Sequence, residues 1–381
     1  MGVIAEMKPG KKLAACLSGL LIAGMMLSGH VAFAEEMKDL NPISYYGEVK
    51  ADRAYQFELV VKSFQASYWQ AVRLGMEEAA KELGVSINVV GPGSESNIAE
   101  QMTMLQMAVD AKPDGIGMAV VDNQAVGSIL ANAQSSGIPV IAYDSDVTNA
   151  PEGSVLCLVA TDNYAAGELA AEKLYPMLKD RIAGAASPVR IGEINQDRLG
   201  KSIEQRGLGF LDRIASLAEE DGYKCAVVGD DWYRDRVKAP GDEKEADILL
   251  EVAVPAQTSI ELAANCALGI LKKNDTIAIF GSNQVVAEAI LQANASVKVI
   301  GTGEDQILGA AFDAGYAVKA AVRNGVFVGS VAQSPELIGK LTVQALTAAA
   351  NGEELTDIRI PGFWFDLSNI DDEEMAVNLY D

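Results

Sequence analysis

The 381-residue chain contains a single histidine, His30. It lies in an N-terminal stretch that reads as a removable leader, so the mature protein is expected to carry none. That excludes Ser-His-Asp triads, Cys-His dyads and His-ligated zinc together. Carboxylate or lysine chemistry is all that is left for catalysis, and the expectation is that the chain is not an enzyme and takes no cofactor. Cysteine is scarce as well. After the leader only Cys157, Cys225 and Cys266 remain, at no metal-like spacing. Cys157 and Cys225 sit in apolar runs, as buried free thiols do. An oxidising compartment would permit a Cys225–Cys266 disulfide, and the sequence leaves both states open. Positive charge is also in short supply. Thirty Lys and Arg face 53 Asp and Glu, for a net charge of −23. The leader holds three of the basic and one of the acidic residues, which leaves 27 against 52, or −25. Such a surface repels nucleic acid and anionic membranes, and suits a soluble monomer.

The leader has three parts. Lys8, Lys11 and Lys12 form a basic start, Leu13–Gly29 is uncharged and mostly apolar, and Ala32-Phe33-Ala34 is a small-x-small cleavage site before Glu35-Glu36. Leu13-Ala14-Ala15-Cys16 imitates a lipoprotein box, but no apolar core precedes its cysteine. The apolar run is short for a membrane span, and no later run is long enough for one. Residues 1–34 are therefore expected to direct export, to the periplasm or the outer face of the cell membrane.

After a polar lead at 35–54, apolar strand-like runs alternate with amphipathic helices. Strands are predicted at 57–61, 86–90, 115–120, 138–143 and 155–159. One helix is predicted from about Trp69 to Leu83, with Val72, Met76, Ala79 and Leu83 on one face, Ser67 as its cap and Gly84 as its stop. The pattern then restarts, with strands at 189–194, 225–228, 276–280 and 297–300. The charged stretch 229–247 reads as a surface insertion. Strands joined by helices in this way give parallel, doubly wound sheets with right-handed crossovers. Two copies of the pattern predict two α/β lobes.

Ligands of such sheets bind at the carboxyl ends of the strands. Lys62, Gln65, Tyr68 and Trp69 follow the first strand directly. Aromatic rings there can cover an apolar ligand face while polar groups orient it. Tyr143-Asp144-Ser145-Asp146, the segment around Asn283, and Gly301-Thr-Gly-Glu-Asp305 follow other predicted strands. Their recurrence in both halves suggests two lips of one cleft.

These residues resemble a known family. Val60-Val-Lys-Ser-Phe-Gln-Ala-Ser-Tyr-Trp69, Pro113-Asp-Gly-Ile116, Gly137-Ile-Pro-Val-Ile-Ala-Tyr-Asp144, Thr161-Asp-Asn-Tyr-Ala-Ala-Gly167, Gln205-Arg-Gly-Leu-Gly-Phe210 and Val331-Ala-Gln-Ser-Pro335 occur in its order. The chain from about residue 55 onward resembles the type I periplasmic substrate-binding proteins of ABC transporters, of the ribose-binding kind. The resemblance implies two doubly wound parallel-sheet lobes joined by a three-segment hinge, with crossings near Thr161-Asp162, Gln333-Ser334 and Ile358–Pro361. One lobe would comprise 55–161 plus 334–359, the other 162–333 plus 360–381. The implied ligand is a small polar molecule, most often a monosaccharide, and the implied partner is a membrane permease.

Residue by residue, Tyr68 and Trp69 match an aromatic pair that sandwiches the sugar. Asp144 matches a carboxylate that accepts from its hydroxyls, and Arg206 a far-lobe guanidinium that can donate two parallel bonds. Asn283 and Gln333 match polar groups of the far lobe and hinge. Lys62 matches a position that is lysine in some relatives, including some that resemble autoinducer-binding proteins. The chain departs from the pattern at Gly303, where ribose binders carry an aspartate. Glu304 is expected to substitute there, or Asp305. The pattern's far-lobe aromatic has no match near 255–258, which brings Trp232 and Tyr233 into consideration. The same site would serve a chemoreceptor or sensor-kinase ligand. A sugar-responsive repressor shares this fold, but a leader stands where its DNA-binding helices would be, and the charge is wrong for DNA.

Overall fold

The structure is a computed structural model that describes residues 49–380. The leader 1–34 and most of the polar lead lie outside the described residues.

The first half runs β1 (Gln56–Val60), α1 (Ser67–Leu83), β2 (Ser86–Val90), α2 (Ile98–Asp110), β3 (Gly115–Met118), α3 (Gly127–Ser135), β4 (Val140–Tyr143) and β5 (Cys157–Thr161). The chain then enters a second set. This comprises α4 (Asn163–Leu174), α5 (Lys179–Ala183), β6 (Val189–Ile194), α6 (Lys201–Glu220), β7 (Cys225–Gly229), α7 (Asp231–Arg234), β8 (Ile248–Ala253), α8 (Ile260–Leu271), β9 (Thr276–Gly281), α9 (Gln284–Val297), β10 (Leu308–Phe312), α10 (Tyr316–Arg323) and β11 (Phe327–Ala332). It returns through α11 (Pro335–Asn351) and β12 (Ile358–Ile360), then leaves again to β13 (Phe363–Phe365) and α12 (Glu373–Ala376).

Two sheets result, as the α/β pattern predicts. The first has the order β12-β5-β4-β3-β1-β2 and is parallel throughout. The second has the order β13-β11-β10-β9-β6-β8-β7, with only β13 antiparallel. In each sheet the winding reverses beside the strand that opens it, between β1 and β3 and between β6 and β9. Such reversals leave a crevice at the carboxyl ends. The chain passes between the sheets three times, after β5, β11 and β12.

The helices follow their apolar faces. Val72, Met76 and Ala79 of α1 are buried, and Gly84 stops the helix with φ +68° and an N–H bond to Ala80 O. Ser67 does not cap it. Ala66 holds the cap position without a side-chain bond, and Ser67 instead places its Oγ 3.5 Å from Gln284 of the second half.

Other expectations need correction. Val297–Ile300 is not a strand: Val297 closes α9, Lys298 turns left-handed at φ +57°, and Ile300 makes only a single bridge to Ile307. Asn294 explains this, because its side-chain oxygen accepts the N–H groups of Val299 and Ile300 that a ladder would need. The strand lies further on, at β10. The predicted fifth strand sits two residues later, as β5. Strand β8 was not foreseen, because it starts directly behind the charged stretch 229–247. That stretch is not wholly surface. Tyr233 is fully buried with its hydroxyl on Asp197 O at 3.1 Å, and Pro240 O accepts from Val227 of β7. Among the described residues Cys157, Cys225 and Cys266 form no disulfide.

Each half packs one helix pair through glycine. An added Cβ at Gly339 of α11 would meet Val72 O of α1 at 2.0 Å, and one at Gly75 would meet Glu336 O at 1.9 Å. In the other half, a Cβ at Gly167 of α4 would meet Arg206 O of α6 at 2.1 Å. Backbone atoms cannot yield as a side-chain tip can. Gly339→Ala should therefore destabilise by about 1–3 kcal/mol through overpacking. Gly269→Ala in α8, where a Cβ meets nothing, should stabilise by up to about 1 kcal/mol. Urea unfolding of both variants checks this, and equal effects would refute the seam.

Candidate functional site

The carboxyl ends of both sheets face one narrow cavity, partly open to solvent, with a volume of about 30 Å³. From the first half come Lys62, Tyr68, Trp69, Glu95 and Asp144. From the second come Ser202, Arg206, Asn283, Gln284 and Asp313, with Gln333 at a crossing between the sheets.

Two aspartates hold matching places. Asp144 directly follows β4, and its N–H bonds Val159 O of the neighbouring β5 at 2.9 Å. Asp313 directly follows β10, and its N–H bonds Val331 O of β11 at 2.8 Å. Each thus extends its ladder by one bond and then turns left-handed, at φ +62° and +73°. Aspartate tolerates that region better than most residues.

The Lys62 ammonium lies 2.8 Å from Asp144 Oδ2 and 3.2 Å from Ser202 Oγ of the other half. The Tyr68 hydroxyl donates to Asp144 Oδ1 at 2.7 Å. Burial pushes the Asp144 carboxyl upward, but the charges of Lys62 and Arg206 together with the hydrogen bonds from Lys62 and Tyr68 outweigh it and hold the group below the ordinary range. Burial raises the Tyr68 hydroxyl, reinforced by Asp144.

Arg206 is presented by α6. Its Nε donates to Asn163 Oδ1 at 2.8 Å, its Nη1 reaches Ser282 O at 3.3 Å, and its guanidinium lies 4.1 Å from the Phe312 ring centroid. That stack fixes the plane of the fork. Asp313 accepts from Gln284 N at 2.8 Å and from Gln333 Nε2 at 2.6 Å. Gln333 Oε1 in turn accepts from Thr161 Oγ1 at 2.7 Å, which ties two of the crossing strands to the cavity. Burial raises Asp313, and Arg206 offsets only part of this. Glu95 is also raised by burial, against Lys62, Trp69 and Gln196.

The cavity therefore brings together Lys62, Tyr68, Trp69, Asp144, Arg206, Asn283 and Gln333. The remaining expected site residues lie elsewhere. Gln65 is exposed and does not line the cavity. Glu304 is exposed in the loop before β10, at the amino edge of the sheet, where Arg181 ties down Gly303 O. The misplaced strand at 297–300 caused this error. With β10 in its true place, Asp313 is the aspartate that follows the strand. Tyr68 and Trp69 are not parallel plates: their rings meet edge to face, 86° apart with centroids at 5.0 Å, and form one corner of the cavity. Neither Trp232 nor Tyr233 lines it.

Sequence reasoning missed Glu95, Ser202, Gln284 and Asp313. For Asp313 the signal was present, since Phe312-Asp313 repeats the apolar-run-then-aspartate pattern of Tyr143-Asp144. Glu95 lies in a loop after β2, beside nothing that marks it.

This is the architecture of a two-lobed solute-binding protein. The chain belongs to the family described as the periplasmic binding protein domain, whose model matches residues 57–354. It is 23% identical over 303 residues to the ribose import binding protein of Bacillus subtilis (strain 168), covering 80% of this chain and 84% of that one. Among solved structures it resembles an "ABC transporter, LacI family transcriptional regulator" from Brachyspira murdochii, with TM-score 0.72, 30% identity, and 86% and 99% of the two chains covered. It also resembles an ABC transporter solute-binding protein from Agrobacterium vitis with bound D-fucose, with TM-score 0.69, 25% identity, and 85% and 100% covered.

The carboxylates predict opposite pH behaviour. Asp144 has a lowered value in the fold, so its contribution is full above the ordinary carboxylate range and is lost as pH falls through the lowered value. Asp313 has a raised value and binds its proton more tightly folded than unfolded. The fold gains from it as pH falls through the raised value toward the ordinary one. In Asp313→Asn that gain should shrink. Unfolding free energies measured from about pH 7 down to about pH 4 will show it, and an unaltered slope would deny Asp313 its buried charge.

Proposed function

We propose that this is an exported, monomeric solute-binding protein that closes on a monosaccharide and delivers it to the permease of an ABC transporter. One observation carries the reading: a cleft between the two sheets in which each lobe contributes an aspartate, a cation and further hydrogen-bonding groups. A sugar presents hydroxyls that donate and accept on all sides, and this lining offers both kinds of partner. The related ribose binder and the D-fucose-bound structure support that ligand class. In this reading Asp144 and Asp313 accept from hydroxyls, while Lys62, Arg206, Asn283 and Gln333 donate to them. Trp69 and Tyr68 supply the apolar corner against the ring's C–H face. The acidic surface argues against nucleic acid, and the basic-apolar-AxA leader argues for export.

A carboxylate accepting two hydroxyl bonds in a closed cavity contributes about 1.5–3 kcal/mol for each. Asp144→Ala should thus weaken D-ribose or D-fucose binding about a hundredfold or more by isothermal titration. A loss under about threefold would remove Asp144 from the site.

Of the three tryptophans, Trp69, Trp232 and Trp364, only Trp69 lines the cavity. Its fluorescence should change on sugar binding, and Trp69→Phe should abolish most of the change. A response that persists in the variant would place the ligand elsewhere.

A further inference from the structure

A second hollow, about 330 Å³ in volume and partly open to solvent, lies beside the cavity between the same two halves. Glu95 lines both. A chain of hydrogen-bonded side chains runs through this shared boundary. Glu95 Oε1 accepts from Trp69 Nε1 and Oε2 from Gln196 Nε2, each at 2.9 Å, and Gln196 Oε1 accepts from Asn283 Nδ2 at 2.5 Å. Glu95 comes from one half and Gln196 from the other. This hydrogen-bonded chain therefore forms only when the halves meet, and it parts when they separate. A ligand atom lying there could take over the donors of Trp69 and Gln196.

The outer hollow differs in chemistry from the inner one. Its charged groups are engaged: Arg198 pairs with Asp230, and Asp197 accepts the backbone N–H groups of Leu199 and Gly200. Ile98, Val121, Leu199, Val254 and Pro255 make up much of the remaining lining. A second ring of hydroxyls would be desolvated against those side chains with few partners. An apolar group would be buried favourably there.

We propose that the site accepts glycosides, with the sugar ring in the inner cavity and an apolar substituent of that ring in the outer hollow, passing between Glu95 and Gln196. This rests on the monosaccharide reading above.

Titration calorimetry with D-ribose, D-fucose and the α- and β-phenyl glycosides of each tests it. At least one glycoside should bind as tightly as its parent sugar or more so. Ala256→Asp puts a charge on the lining of the outer hollow and Gln257→Trp fills that hollow, both from exposed positions. Each should weaken the glycoside about tenfold or more while leaving the parent sugar within about threefold. If a parent sugar binds and every glycoside is excluded, the outer hollow is no subsite. The same holds if both variants weaken sugar and glycoside alike. If neither sugars nor glycosides bind, the monosaccharide reading itself falls and takes this proposal with it.

Discussion

The ion pair between Lys62 and Asp144 is the constraint around which the site is organised. Both groups are almost wholly buried. A charge taken out of water without a partner costs several kcal/mol, so neither can stand alone. Arg206 adds a second buried cation, and Asp313 and Glu95 add two more buried carboxylates. Two cations cannot neutralise three carboxylates. The imbalance falls unevenly: Asp144, nearest Lys62 and also under Arg206, is held ionised, whereas Asp313 and Glu95 are pushed toward protonation. A neutral ligand rich in hydroxyls suits such a cluster, since it can solvate each charge without altering the sum.

The backbone places this cluster by using one device twice. Each sheet ends a strand in aspartate, spends its N–H on the neighbouring strand, and then turns left-handed. Each half also sets a glycine-packed helix pair against its sheet, α1 with α11 and α4 with α6. The second pair carries Arg206, so close packing at Gly167 fixes where the guanidinium points. Gln333 joins the hinge to this arrangement, through Thr161 on one side and Asp313 on the other.

Much of this was legible in the sequence, and the parts that were not share a cause. The α/β class follows from alternating runs, because the periods of strand and helix differ. Lys62, Tyr68, Trp69 and Asp144 were legible because each lies within a few residues of a well-marked strand end. Asp313 carried the same mark but was passed over, because the strand was placed at 297–300, where Asn294 diverts two N–H groups and converts an apparent strand into a helix end, a side-chain detail that periodicity does not carry. Glu95 and Gln196 were invisible for another reason. Their importance lies in meeting each other across the two halves, and no local pattern encodes a partner a hundred residues away. The insertion misled through its charge: Tyr233 is buried within a segment whose composition is that of solvent-exposed chain.

The same cross-lobe contacts bear on affinity. Lys62 reaches Ser202 from the other half, Ser202 N–H reaches Ser145 Oγ at 3.3 Å, and Ser96 Oγ donates to Thr258 O at 2.8 Å. The halves are thus joined by bonds that need no ligand. A ligand adds stability to the closed form only by what it gains beyond the bonds it displaces. The contacts at the rim act differently from those in the cavity. Ser96–Thr258 borders the outer hollow and not the inner cavity, so a ligand confined to the inner cavity need not break it, and it raises the closed population before ligand arrives. Lys62–Ser202 lies within the cavity and competes with ligand directly. Apparent affinity scales with the fraction of molecules already competent to bind. Rim bonds should therefore tune affinity for the ring in the inner cavity without altering which hydroxyl pattern is accepted there, which the buried charges set.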